Sequence, residues 1–222
     1  MALKTICVKA VIFDMDGVIT HTMPDHHRAW KTTLHKYGIA LTPYEVYSRE
    51  GQPGDEALEE ILQINRVPYS GKDLKRILKE KEEHFKTYVK ERFVVGARTF
   101  LKYLSRSGFR LALVTGTSRH ELHRILPEHI YRLFEVTVTG NDVRTGKPHP
   151  EPFMRALSKL GVSARDAIVI ENAPYGIRSA NAAGLRVLAL ETSLASHHLK
   201  GAWATYRSIK ELRAKTRFQL KT

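Results

Sequence analysis

Asp14 and Asp16 stand one residue apart at the end of the apolar run Val11-Ile12-Phe13, and Gly17 follows them. A strand that ends this way presents two carboxylates at its carboxyl edge, where open α/β sheets bind their ligands. Gly17 lets the chain turn sharply away. Two carboxylates beside a phosphate dianion would repel it by several kcal/mol at short range in a partly desolvated site. Phosphate chemistry here therefore needs a divalent cation and a lysine nearby. Taken alone, an Asp-x-Asp pair fits a solvated acidic turn better, so the rest of the chain must decide.

Three later segments carry groups suited to a phosphate. Leu113-Val114-Thr115-Gly116-Thr117-Ser118 ends a second apolar run. The Thr115 hydroxyl and the small residues after it would let backbone amides approach an oxyanion, although the same residues make a good turn and N-cap. In Gly146-Lys147-Pro148-His149-Pro150, Lys147 lies between flexible and stiff neighbours; by itself it reads better as a surface lysine. Ile168-Val169-Ile170-Glu171-Asn172 ends in an acid and an amide, both oxygen donors for a hard cation.

Five apolar, β-branched segments must position these groups: 6–13, 110–115, 135–139, 167–170 and 185–190. Several are near-continuous apolar runs, as expected of strands covered on both faces. Helical patterns over 96–105, 120–126, 151–160 and 175–183 alternate with them. This alternation predicts an α/β fold with a doubly wound parallel sheet. Residues 20–92 break it: the pattern there is helical over 25–37, 43–49, 55–63 and 72–89, with Gly and Pro between the segments. We expect a core of 1–19 and 93–222 and an all-helical cap of 20–92 inserted directly after the two carboxylates. Hinges are expected near 20–24 and 92–96, with a cap that opens for substrate and closes to exclude water.

Composition bounds the remaining possibilities. The chain has 222 residues, with 42% hydrophobic and 27% charged, ordinary values for a globular protein. No apolar stretch reaches the roughly 18 residues of a membrane span, and the N-terminus lacks the pattern of a signal peptide. Cys7 is the only cysteine, so no internal disulfide forms, and a reducing cytoplasm is the expected location. Cys7 itself is expected to pack as a small apolar side chain in the first strand. The formal charge of +13 favours anionic partners. No basic run is interleaved with aromatics as a nucleic-acid platform would be, so no specific nucleic-acid partner is expected, and the basic exterior fits simple solvation.

Taken together and in this order, strand–Asp-x-Asp, strand–Thr, Lys-Pro and strand–Glu-Asn resemble the haloacid-dehalogenase superfamily, in the subgroup of helical-capped phosphatases that includes β-phosphoglucomutase. Residues 13–20 resemble its first motif, Thr115 its second, Lys147 its third, and the stretch from Glu171 through Gly184 its fourth. The resemblance implies a Rossmann-like core and a phosphatase acting on a small phosphorylated metabolite, a sugar phosphate being the expected class. It makes Asp14 the nucleophile that forms an aspartyl-phosphate and Asp16 the general acid and base. It assigns Mg²⁺ to the Asp14 carboxylate, the Asp16 carbonyl and Asn172, with Glu171 close by or bound through water. Lys147, Thr115 and Gly116 would hold the transferring phosphoryl oxygens.

Two departures qualify it. Many relatives carry an acidic pair where this chain has Glu171-Asn172; the lost charge predicts weaker Mg²⁺ binding. Asn172 could alternatively cap the helix that follows. In the mutases, the cap loop resembling Gly51-Gln52-Pro53-Gly54 brings a Lys and an Arg to a second phosphate, and that pair is missing here. The loss favours hydrolysis, while Arg119 could return one charge and keeps a phosphosugar mutase as the alternative. His26 and Trp30 fall either at the mouth of the site or within ordinary cap packing. His197-His198 reads as surface. A catalytically weak scaffold for acidic partners is the alternative from another class. A monomer is expected, because the cap already covers the site.

Overall fold

Successive residues of a strand point to opposite faces, and in the computed structural model, which describes residues 3–221, this sorting builds the core. The strands and helices run β1 (Lys4–Val8), β2 (Ala10–Phe13), α1 (Met23–His35), α2 (Pro43–Tyr47), α3 (Gly54–Ile64), α4 (Gly71–Tyr88), α5 (Ala97–Arg106), β3 (Arg110–Val114), α6 (Arg119–Ile125), α7 (Glu128–Tyr131), β4 (Val136–Val138), α8 (Glu151–Leu160), β5 (Ala167–Glu171), α9 (Pro174–Ala182), β6 (Arg186–Leu190), β7 (Ala204–Tyr206), α10 (Ile209–Lys215) and β8 (Thr216–Leu220). Six strands form one parallel sheet in the order β4-β3-β2-β5-β6-β7. Val11, Phe13, Leu111, Leu113, Ile168 and Ile170 pack on one face, with α5 and α10 residues such as Phe100 and Leu212. Ile12, Ala112, Val114, Val169 and Val187 pack on the other, against Phe153 and Leu160 of α8 and Ile177 of α9. The sheet is thus the doubly wound α/β core expected from the alternation.

The chain leaves β2 for β3 on one side and later returns to lay β5 on the other. This reversal opens a crevice at the carboxyl end of β2, which is where Asp14 stands.

Two parts of the sheet system differ from the sequence expectation. The run 6–13 is two strands, not one. β1 leaves the main sheet and pairs in parallel with β8, Ile6 opposite Phe218. Only one face of β1 is covered, so Ile6 and Val8 are buried while Cys7 points outward and is exposed. The expected burial of Cys7 is therefore corrected. β7 and β8 were not expected as strands. β7 has three residues, too few to show a period. β8 alternates Thr-Arg-Phe-Gln-Leu within a basic tail and buries only Thr216 and Phe218.

Helices α1 to α4 pack around an apolar centre of their own, including Trp30, Leu34, Leu58, Leu62 and Ile77. Thr42 with Glu45 and Ser70 with Asp73 form capping boxes that start α2 and α4, two side chains satisfying each other's orphan amides. The two crossings to the sheet lie side by side: the His21 amide donates to the Arg92 carbonyl at 2.8 Å, and the Val94 amide to the Ile19 carbonyl at 2.9 Å. Among the described residues, no helix is long and apolar enough to cross a membrane.

Candidate active site

Each group singled out from the sequence, with one exception, lies at the carboxyl edge of the sheet or in the cap just above it. Asp14 follows β2, Thr115 follows β3, Glu171 ends β5, and Lys147 reaches in from the loop after β4. The Lys147 ammonium donates to Asp14 Oδ1 at 2.6 Å, to Glu171 Oε1 at 2.7 Å and to the Val114 carbonyl at 3.2 Å. Its side chain is 1% exposed and both carboxylates are fully enclosed. A buried charge of this kind is tolerated only when paired. Burial works against the ammonium, but Asp14 and Glu171 outweigh it and hold the lysine above its ordinary pKa. Burial pushes Asp14 up, Lys147 pulls it down, and Glu171 and Asp16 push it up again, leaving it at about 8.

Asp16 has a different shell. The hydroxyls of Thr22 and Thr117 donate to its two oxygens, the latter at 2.9 Å, and His26 Nε2 lies 3.6 Å from Oδ1. Burial would raise its pKa, but His26 and the two hydroxyls outweigh burial and lower it. His26 therefore belongs to the site as well as to the cap packing: its ring stacks on Phe85 with centroids 4.0 Å apart. Its Nδ1 lies 3.3 Å from the Lys81 ammonium. Lys81 was not singled out from the sequence, because nothing distinguishes it among the lysines of α4 before α1 and α4 are brought together. Thr22 and Thr117 were missed for the same reason.

Glu171 is fully engaged. Oε1 accepts from Lys147, while Oε2 accepts from the amides of Asn172 and Ala173 at 2.7 and 2.9 Å. It anchors Lys147 and the start of α9. Gly176 makes this possible: a Cβ there would stand 1.6 Å from Glu171 Oε1. Asn172 donates through Nδ2 to the Ser193 hydroxyl at 2.8 Å. Gly17, at φ +86°, lets Asn172 approach: a Cβ on Gly17 would lie 2.2 Å from Nδ2.

A hard cation can be tested against this arrangement. Asp14 Oδ2 and Asn172 Oδ1 are both buried oxygens without a hydrogen-bond partner among the described residues. They project from adjacent strand ends, and the Asp16–Gly17 peptide borders Asn172. Buried unpaired acceptors are costly, and oxygens are what Mg²⁺ takes. The residues fit the ion. Among the described residues, no cluster of three His, Cys, Asp or Glu side chains offers a competing metal site.

The cap closes over these groups. Gly51, at φ +81°, packs so tightly that a Cβ would come 2.4 Å from Lys147 Cδ. A Cβ on Gly116 would stand 2.9 Å from the Gly51 carbonyl oxygen. A cavity of about 520 Å³ lies between cap and core, bordered by His26, Trp30, Glu50 and Lys81 on one side and Gly116 and Thr117 on the other. Asp14 lies beneath the loop with no exposed surface, so a substrate reaches it only if the loop moves. Burial, then the charges of Asp16 and Asp14, push the Glu50 carboxyl well above its usual range.

Arg119 is the exception. It is exposed and grips both oxygens of Asp142 at 2.8 Å. In this arrangement the Arg119 charge pairs with Asp142 rather than facing the cavity.

A family model for haloacid dehalogenase-like hydrolases matches residues 11–190. The chain is 32% identical over 181 residues to the phosphorylated carbohydrates phosphatase of Thermotoga maritima, covering 80% of this chain and 82% of that one. It is 30% identical over 193 residues to hexitol phosphatase A of Escherichia coli, covering 82% of each. The crystal structure of β-phosphoglucomutase from Clostridium difficile superposes with a TM-score of 0.81 at 25% identity, covering 94% of this chain and 96% of that one.

Proposed function

The chain belongs to the haloacid dehalogenase-like hydrolases, and on that premise we propose that it is a Mg²⁺-dependent phosphatase that hydrolyses a small phosphorylated metabolite, a sugar phosphate in class, through an aspartyl-phosphate. The observation that carries this reading is the state of Asp14. One oxygen is pinned by Lys147 and the other is buried and unpartnered. A side chain held so is oriented and stripped of water, as a nucleophile requires, and a bound cation would favour its ionised form over the neutral one that burial favours.

Asp14 attacks phosphorus; an oxygen–phosphorus bond forms as the ester oxygen leaves. Asp16 hands that oxygen a proton, then takes one from the water that attacks phosphorus and releases Asp14. Asp16 is ionised at rest; the approach of an anionic phosphoryl group raises its proton affinity, so that it takes a proton from solvent with the substrate and passes that proton to the leaving oxygen. Thr22, Thr117 and His26 fix its orientation. Lys147 neutralises Asp14 and the transferring oxygens, with Glu171 keeping it in place. The Thr115 hydroxyl and the Gly116 amide would bind those oxygens. Asp14, the Asp16 carbonyl and Asn172 would hold Mg²⁺, which offsets the charge of the phosphate against two carboxylates.

A mutase must grip a bisphosphate at both ends. The names of relatives include a mutase, but two features of the cap loop favour hydrolysis. Arg49 is near the loop, yet its guanidinium is committed to the Glu45 carbonyl at 2.6 Å and to Glu60 at 3.1 Å. Glu50 brings an acid where a second phosphate would need a base. With Mg²⁺, p-nitrophenyl phosphate should be turned over by the wild type and about 10⁴-fold or more slowly by Asp14→Asn. Equal rates would end the catalytic reading.

A further inference from the structure

Glu60, on α3, holds both flanks of the loop that covers Lys147. Its Oε1 accepts from Arg49 Nη2 at 3.1 Å and its Oε2 from Gln52 Nε2 at 3.4 Å. Arg49 and Gln52 bracket the residues that cover the site, Glu50 and Gly51. Arg49 also donates through Nη1 to the Glu45 carbonyl, so its guanidinium ties the end of α2 to α3. The remaining contact crosses the cleft. The Tyr175 hydroxyl, on the first turn of α9, donates to Glu60 Oε2 at 3.4 Å. That helix begins directly after Glu171-Asn172-Ala173, so the tyrosine rides on the element that carries the acid anchoring Lys147.

Of the three bonds to Glu60, only the tyrosine bond crosses the cleft and is broken when the cap opens. Arg49 and Gln52 stay with Glu60, so the carboxylate is not left without partners, and the tyrosine hydroxyl turns to water. The exchange is small in free energy, as a reversible closure requires. The Glu60 side chain is 35% exposed, so solvent can replace the tyrosine without unfolding anything.

We propose that Glu60 is a positioning residue, which fixes the loop of residues 49–52 over Lys147 through Arg49 and Gln52 and latches it to the core through the Tyr175 hydroxyl. Its bearing on turnover rests on the phosphatase reading; its bearing on cap geometry does not.

Cys7 is exposed on the core and Lys79 on the cap helix α4, so Lys79→Cys gives a dye pair for single-molecule energy transfer. In the full chain, Tyr175→Phe should lower the ratio of closed to open cap about fivefold, with an unchanged melting temperature. Glu60→Ala should lower it at least as far. Combining the two should add nothing to Glu60→Ala, because both act through one bond. In p-nitrophenyl phosphate turnover, Tyr175→Phe should raise KM more than it lowers kcat. A cap distribution in Tyr175→Phe that superposes on wild type, or additive effects in the double variant, would overturn the proposal. Absence of turnover in the wild type would remove the phosphatase reading and leave the energy-transfer result to decide the latch.

Discussion

Asn172 is a neutral oxygen donor in a place where the chemistry favours an acid. Its amide nitrogen is spent on Ser193, which leaves Oδ1 as the free end. An aspartate would add a charge without adding bulk. We expect Asn172→Asp to bind Mg²⁺ roughly tenfold more tightly, since ligand charge tunes the affinity of oxygen sites. Calorimetric titration of the two proteins measures this, and an unchanged Kd would remove Asn172 from the proposed ligand set. Asp14, Asp16, Thr115, Glu171 and Asn172 were legible as candidates because each sits at or just beyond a strand end, a place the sequence marks. Glu171 was legible as a member of the site but not in its role. Only the structure has Lys147 and two backbone amides taking up both of its oxygens.

At the level of elements, the start of α9 shows how a backbone makes room for chemistry. Alanine in a helix is ordinarily favoured over glycine by somewhat less than about 1 kcal/mol. At Gly176 that preference is outweighed, because a Cβ would overlap Glu171 Oε1 at 1.6 Å. The carboxylate, braced by Lys147 and two amides, has nowhere to move. Gly176→Ala should therefore destabilise the protein by about 1–3 kcal/mol and also lower kcat, since the displaced Glu171 no longer holds Lys147. Urea denaturation and turnover together test this; if neither changes, the glycine is not what seats the carboxylate. Helices were read from the sequence more closely than strands, and α8 falls on the span its pattern gave. The short or one-sided strands β7 and β8 lacked the continuous apolar run that marks a strand buried on both faces, and β1 was read as one strand with β2.

Across the whole molecule, the two ends of the described chain are tied together. β8 pairs with β1, and the Phe218 ring meets Phe100 and Phe109 edge-on at 5.5 and 6.2 Å. Phe218→Ala should cost about 3 kcal/mol, a sizeable part of the 5–15 kcal/mol typical of a domain. Denaturant titration reads it directly, and a loss below about 1 kcal/mol would show that the small sheet contributes little. Periodicity and strand-end chemistry determined the α/β core, the helical insert and the order of the catalytic candidates, because both signals are local and repeat along the chain. Which face of β1 is covered, where the charge of Arg119 goes, and which cap side chains meet Asp16 and Lys147 were decided only by the tertiary structure. Those outcomes depend on segments tens of residues apart arriving within hydrogen-bond reach, and no local pattern encodes which pairs will meet.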